Sequence, residues 1–312
     1  MRNLNESCII GLDHGYYAIK SPHFAFPTGV VAHEYEPYTR QGVLEYGGKF
    51  YVVGSGRQPL QKNKTLTDDY YLMTLAALAK EIELRNLDRN ARVHLAVGLP
   101  LTNFGREKGP FRKYLLRDRK PISFRFEGIS YIVTITGVNV CPQGYAALSV
   151  QSDLQEEPSV IVVDWGGWTV DLMRVDNHNA DAASCRSLEK GMILCLDEIM
   201  EQVRRTLGLS LTAAQIESVI RGDANSIPED VKNLINEGAR GYVSRLLSAI
   251  MECGMDYHAT PTVFLGGGAA LMKRYAPTGE RTARVVILDD VCLNAKAYER
   301  IVRKLLRRDG NG

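Results

Sequence analysis

Apolar residues along the chain fall into short β-branched runs separated by turn residues, and three of these runs end in glycine-containing turns. The clearest is Ser159 to Val175, SVIVVDWGGWTVDLMRV. Its first run is too short for a helix and predicts a buried strand, and Val170 to Val175 pairs back on it. The intervening turn makes the pair a hairpin. Ser7 to Lys20, SCIIGLDHGYYAIK, repeats the pattern: a short apolar strand ending in Asp-x-Gly, then a return strand carrying Lys20. Pro261 to Met272, PTVFLGGGAALM, predicts a strand, three glycines and the start of a helix.

Between these runs the pattern alternates strands with helices. Pro22 to Gly56 predicts a small sheet, with Gly47-Gly48 as a hairpin turn and Gly54 to Gly56 as a plain turn. In Thr67 to Leu84, Leu72, Leu75, Ala76, Ala79 and Ile82 recur at helical spacing, with Thr67 and Asp68 as caps. His94 to Leu99 is a buried strand closed by Pro100, and Arg112 to Arg117 begins or ends a short amphipathic helix. The Glu127-Gly128 turn separates two strands, and Cys141 to Gly144 breaks the chain before a helix Tyr145 to Ser152. Ala180 to Leu188 is a strand, and Lys190-Gly191 turns into a helix Met192 to Leu207. Leu211 to Met251 is helical and polar, interrupted at Gly222, Pro228 and Gly241; Val285 to Leu288 is a strand and Val291 to Leu306 a terminal helix. The alternation places the chain in the α/β class.

Length and charge narrow the function. At 312 residues the chain exceeds one ordinary domain, so two lobes are expected. No apolar run approaches a membrane span, and MRNLNES lacks the apolar core of a signal peptide, so a cytoplasmic protein with no membrane partner is expected. The six cysteines show no C-x-x-C, which fits reduced, buried thiols, and no histidine has metal-ligand spacing. With 38 basic and 36 acidic residues, net charge +2, no field draws the chain to DNA, and direct DNA binding is not expected. The basic cluster Arg300, Arg303, Lys304, Arg307 and Arg308 reads as a solvated helix face.

The turns carry the candidate chemistry. Gly166 and Gly167 free the backbone for positive φ and bring main-chain N–H groups within reach of phosphate oxygens. Asp164 ends its strand where it could hold a hydrated Mg²⁺, and Asp171 could brace the loop. Asp13 and Gly15 stand in the same relation at the first hairpin, with Lys20 as a candidate cation for the phosphates. Paired Asp-x-Gly hairpins suggest two related half-molecules facing one phosphate chain.

Taken in order, these elements resemble the actin, heat-shock-chaperone and sugar-kinase superfamily. Within it, Lys64 to Ile82 followed by His94 to Leu115 looks like the ParM/StbA bacterial actins of plasmids. The resemblance implies an actin-like ATPase fold of two lobes, each with a ribonuclease-H-like mixed sheet and helices, and ATP with Mg²⁺ in the interlobe cleft. GTP in place of ATP stays open. It implies a first lobe over 1–150, including a β-rich subdomain over about 22–62, to which the helix 291–308 returns. The second lobe covers 151–290, with a helical subdomain over about 209–256.

Residue by residue, the resemblance assigns Asp13 and Asp164 to Mg²⁺ through water, and Gly15, Gly166, Gly167 and Thr169 to the phosphates. Gly266, Gly267 and Gly268 then lie under the ribose and α-phosphate, with Met272 and Lys273 near the base and Glu189 and Lys190 facing the nucleoside. Gln143 falls where the family places the residue that orients the attacking water. Members resembling ParM often carry glutamate there, which implies slower or differently timed turnover in this chain.

The function implied is a polymerising ATPase whose filament, a self-assembly, moves plasmid DNA through a DNA-binding adaptor on a centromere-like site. A monomeric kinase of the superfamily and a nucleotide-gated, chaperone-like binding module are the alternatives. Nothing follows the terminal helix to act as a substrate-binding domain, and no inserted polar substrate pocket is evident.

Overall fold

In the computed structural model, the described residues are 7–56, 58, 63–148, 154, 156–276 and 283–309. The chain divides into two compact units, one of residues up to Val150 together with Val291 onward, the other Gln151–Asp290. The expected helix Tyr145 to Ser152 is seen as Tyr145–Leu148, its remainder lying outside the described residues.

The first unit begins with β1 (Cys8–His14), β2 (Ala18–Lys20) and β3 (Ala25–Pro27), an antiparallel meander. Strands β4 (Val30–His33), β5 (Val43–Tyr46) and β6 (Lys49–Val53) form the small sheet, and Gly47 and Gly48 both take positive φ in the β5–β6 turn. Helix α1 (Asp69–Leu84) follows, then β7 (Asn90–Leu99), α2 (Leu101–Leu116), β8 (Ile122–Phe126), β9 (Ile129–Pro142) and α3 (Tyr145–Leu148). The order of strands is β3-β2-β1-β7-β9-β8-β5-β6-β4, with β1, β7 and β9 parallel. Five apolar positions expected to form the inner face of α1 are all buried against this sheet.

Two expectations in this unit are refined. Arg112 to Arg117 ends a helix rather than beginning one: α2 starts at Leu101, directly after Pro100, and runs through Gly105, Gly109 and Pro110. Its buried Phe111 and Leu115 anchor it on the sheet, so packing overrides the local breakers. The cap of α1 is Asp68, but its side chain makes no capping bond and pairs instead with Arg117 at 2.6 Å.

The second unit contains β10 (Ser159–Trp165), β11 (Val170–Asp176) and β12 (Asn179–Leu188), another antiparallel meander. Helices α4 (Met192–Leu207), α5 (Ala213–Arg221) and α6 (Glu229–Glu252) come next, then β13 (Thr262–Leu265), α7 (Ala269–Tyr275) and β14 (Val285–Ile287). The strand order is β12-β11-β10-β13-β14, with β10, β13 and β14 parallel. Gly222 caps α5 in the left-handed conformation and Pro228 begins α6, as the sequence implies. Gly241 does not interrupt α6, whose Ala239, Tyr242 and Val243 are buried on either side of it.

Both sheets share one plan: a three-stranded antiparallel meander whose first strand continues into two parallel neighbours. The order third-second-first-fourth-fifth holds for β3-β2-β1-β7-β9 and for β12-β11-β10-β13-β14 alike. Each Asp-x-Gly turn therefore sits at the same place in its sheet, the C-terminal end of the first, central strand.

The terminal helix α8 (Leu293–Asp309) packs in the first unit, on β1 and β7. Two glycines permit this close approach. A Cβ at Gly11 would lie 2.0 Å from the Ala295 carbonyl oxygen, and one at Gly98 would lie 2.1 Å from the Tyr298 ring. Tyr298 and Val302 are fully buried there with Ala297 and Cys141.

Candidate functional site

In the first unit, Asp13 ends β1 and is buried, with its carboxylate Oδ2 lacking a hydrogen-bond donor and 3.7 Å from the Lys20 ammonium. The register Asp13 opposite Lys20 puts both on the same hairpin. Gln143, at the end of β9, brings its side-chain nitrogen to 3.5 Å from Asp13 Oδ1. Its backbone is tied down: the Gln143 amide donates to Leu99, and its carbonyl accepts from Tyr145 at 2.7 Å. Gly144, at φ 70°, donates to Asn294 Oδ1 of α8 at 3.2 Å. Asp13, Lys20 and Gln143 thus lie together at the end of the first sheet where β1 and β9 terminate.

The β1–β2 turn is tight. The Gly15 amide donates to Ala18 at 3.1 Å, and a Cβ at Gly15 would lie 2.6 Å from that same carbonyl oxygen. His14, which sequence reading left unremarked, is fully buried; its Nε2 meets Thr74 Oγ1 at 2.9 Å while that hydroxyl donates to the Tyr70 carbonyl. Burial, reinforced by the Lys64 charge, lowers its pKa to about 3, so the ring is neutral.

In the second unit the β10–β11 turn is organised by the start of α4. The carbonyls of Gly166, Gly167 and Trp168 accept from Met192, Ile193 and Gly191 at 3.0, 2.9 and 2.9 Å. A trans peptide points its C=O and N–H oppositely, so the amides of Gly167, Trp168 and Thr169 face away from α4. This is a donor array suited to an anion. Gly191 is required for the approach, since a Cβ there would lie 2.4 Å from the Gly167 carbonyl oxygen.

Two details differ from the expectation for this turn. Neither Gly166 nor Gly167 is among the glycines at positive φ, and the Gly166 amide turns inward to Thr169 at 2.9 Å. Thr169 spends its hydroxyl on Asp171 Oδ2 at 3.0 Å, so these two brace the loop together.

Asp164, 2% exposed, lies in register with Leu265 of the parallel neighbour β13. That register puts it beside the glycine triplet: a Cβ at Gly266 would lie 2.7 Å from Asp164 Oδ1. Gly266 also takes φ 89°. Gly268 donates to Trp165 at 3.0 Å, and a Cβ on it would lie 2.2 Å from the indole. Gly267 alone of the three faces open space, with nothing within 4 Å of an added Cβ. Trp165 is a packing residue, fully buried and stacked with Tyr242 at 6.3 Å.

Of the residues assigned to the nucleoside, Met272 is 3% exposed and packs inside the unit. Lys273 is exposed and paired with Asp289 at 2.8 Å. Glu189 is exposed and Lys190 half-buried, at the turn between β12 and α4.

Each carboxylate, taken within its own unit, has the chemistry a hydrated Mg²⁺ takes. Asp13 presents a buried oxygen without a donor, and Asp164 has room only because residue 266 is glycine. Among the described residues no group of three or more His, Cys, Asp or Glu is placed to hold a metal directly. Nor is any helix among them long and apolar enough to cross a membrane. The cysteines are free; burial raises Cys141 to about 11 and Cys195 to about 12.

Residues 11–145 match the family described as the N-terminal domain of actin-like proteins. No curated protein matches the sequence. Among solved structures, an archaeal actin homolog, Ta0583, is similar at 19% identity and TM-score 0.76, over 95% of this chain and 99% of that one. The actin-like protein Alp7A is similar at 14% identity and TM-score 0.77, over 97% and 98%. A ParM from Clostridium botulinum, solved as a 15-stranded filament, is similar at 17% identity and TM-score 0.73, over 96% and 99%. At these identities the likeness is one of fold. The chain has the actin-like ATPase fold, carries an N-terminal region of the actin-like protein type, and is similar to ParM-like bacterial actins.

Proposed function

We propose that the chain is an actin-like ATPase that polymerises into nucleotide-dependent filaments and segregates plasmid DNA through a DNA-binding adaptor. The observation that carries this reading is the repeated turn: a buried aspartate at the end of the central strand of each sheet, followed by a backbone loop. In the second unit that loop aims its amides away from α4. The archaeal homolog solved with ADP and the Bacillus thuringiensis ParM solved with ATP support nucleotide binding, and the C. botulinum filament supports self-association.

Phosphoryl transfer asks mostly for positioning and charge neutralisation. Mg²⁺, held through water by Asp13 and Asp164, would neutralise charge on the phosphates. Gly15, Gly166, Gly167 and Thr169 shape the two turns, with the Gly167 and Thr169 amides as donors to phosphate oxygens and Lys20 as an added cation. Gln143 directs its amide nitrogen toward Asp13, which leaves the amide oxygen to accept from the attacking water. A glutamine aligns water but is no strong general base, so turnover is slower or differently timed than with a glutamate at this position. Gly267 is the open face of the triplet toward the ribose and α-phosphate, with Glu189 and Lys190 toward the nucleoside.

With net charge +2, the chain reaches DNA through a separate adaptor rather than by its own phosphate contacts. Phosphate release with ATP or GTP, with and without Mg²⁺, tests the enzymatic part. Mg²⁺-dependent release supports it, and no release with either nucleotide contradicts it. Anisotropy of labelled DNA at ~150 mM salt tests the adaptor part. Tight, sequence-specific binding by this chain alone would overturn it.

A further inference from the structure

The first hairpin lacks the device that orients the second. In the β10–β11 turn, three consecutive carbonyls are held by the first amides of α4. After β1–β2 the chain continues into β3 rather than into a helix. Yet the same job is done there by two side chains.

Lys64 is 6% exposed, and its ammonium donates to the His14 carbonyl. Its position is enclosed by aromatic rings, with Nζ 5.1 Å from the Tyr16 centroid and 5.8 Å from that of Tyr70. Thr28 is 2% exposed, and its hydroxyl donates to the next carbonyl, Gly15, at 2.7 Å. The Thr28 amide reaches the same turn, donating to Tyr17 at 3.0 Å. Two successive peptide carbonyls are therefore fixed by buried donors. Because C=O and N–H are opposed across each trans peptide, the bond to the Gly15 carbonyl also turns the Tyr16 amide to the opposite side, while the Gly15 amide closes the turn onto Ala18.

We propose that Lys64 and Thr28 are positioning residues for the first phosphate-binding turn, holding its carbonyls away from the anion so that donors, not acceptors, meet phosphate. The inference rests on the nucleotide-binding reading above. A carbonyl oxygen facing a phosphate repels it, whereas an amide attracts it, so the orientation of two peptide planes decides whether the turn can serve as an anion site. Neither residue touches the ligand in this account. Thr28 stands just before β4 and Lys64 lies between β6 and α1, so both ends of the small sheet's segment grip the turn. Binding of phosphate at the turn is thereby linked to the placement of the small sheet within the first unit.

The test compares binding of ATP and of adenosine, each with Mg²⁺, to the full chain and to Thr28→Val, Thr28→Ser, Lys64→Met and Lys64→Arg. Thr28→Val keeps shape and loses the donor; Lys64→Met keeps the buried stem and loses the charge. Each is expected to weaken ATP about tenfold, the scale of one hydrogen bond. Adenosine binding should stay unchanged, and Thr28→Ser should restore ATP affinity. Circular dichroism on the same samples identifies any variant that fails to fold, in which case the other position decides. Folded variants with unchanged ATP affinity, or with equal losses for ATP and adenosine, would overturn the inference. If the unsubstituted chain binds neither ligand, the nucleotide reading itself falls, and this inference with it.

Discussion

Arg85 and Glu299, 214 positions apart, form a two-pronged ion pair: Nη2 to Oε2 at 2.8 Å and Nη1 to Oε1 at 3.2 Å. Arg85 also reaches the Ile9 carbonyl at 3.0 Å and pairs with Glu81, which is fully buried and takes His23 on its other side. Glu299 in turn accepts from the Gly11 amide and from Arg303. The network ties the end of α1 and the start of β1 to the terminal helix α8, fixing where the chain returns to its first unit. Removing one member of a buried pair leaves the other charge uncompensated. Glu299→Ala is therefore expected to destabilise the first unit by about 3 kcal/mol, read from urea unfolding. A loss within a few tenths of that of an exposed pair such as Arg89–Glu83 would show that α8 is held by packing alone.

The glycine triplet separates folding from ligand contact residue by residue. Gly268→Ala drives a methyl into the Trp165 ring and is expected to cost about 2 kcal/mol of stability, the scale of overpacking. Gly267→Ala meets nothing within 4 Å and should leave the melting temperature unchanged while weakening nucleotide binding. Thermal melts and a nucleotide titration on both variants check the contrast. Equal effects on stability would mean that Gly267, too, is structural.

Gln143 stands close to Asp13, but its side chain makes only a long 3.5 Å contact there. If it aligns the attacking water, Gln143→Ala should lower phosphate release by roughly 10²-fold without weakening ATP binding. Unchanged release would remove it from the mechanism.

His14 supplies a pH signature. Its pKa is about 3 in the folded chain against an ordinary value of 6.5, so between those values the unfolded chain binds the extra proton. Its contribution to stability is complete above pH 6.5 and is lost as pH falls toward 3, with a slope of up to about 1.4 kcal/mol per unit. Urea midpoints at pH 7, 5 and 4 should fall, and His14→Gln should flatten that part of the slope. An identical slope in the variant would place the titration on other groups.

Much of the fold is legible in sequence where the signal is local. The Gly47-Gly48 and Glu127-Gly128 turns require left-handed backbone, and each pair has positive φ. The runs around Asp13 and Asp164 show their strands because β-branched apolar stretches of that length have few other solutions. What escaped is non-local. Gly11 and Gly98 are glycine because α8 lies on them, a fact held in residues two hundred positions or more away. Helix α2 was obscured by Gly105, Gly109 and Pro110, whose local preference is outweighed by the burial of Phe111 and Leu115. At the site, the aspartates and glycines are visible as motifs, but the carbonyl pins Lys64 and Thr28 carry no motif at all.

The central claim is nucleotide-dependent assembly, and it is tested most directly by light scattering of the purified chain with Mg²⁺ and ATP, GTP, ADP or a non-hydrolysable analogue, with electron microscopy of the same samples. The account predicts filaments with ATP or GTP that decay as phosphate is released, persistent filaments with the analogue, and little assembly with ADP. Scattering that is the same with every nucleotide, or no filaments while phosphate is released, would contradict it.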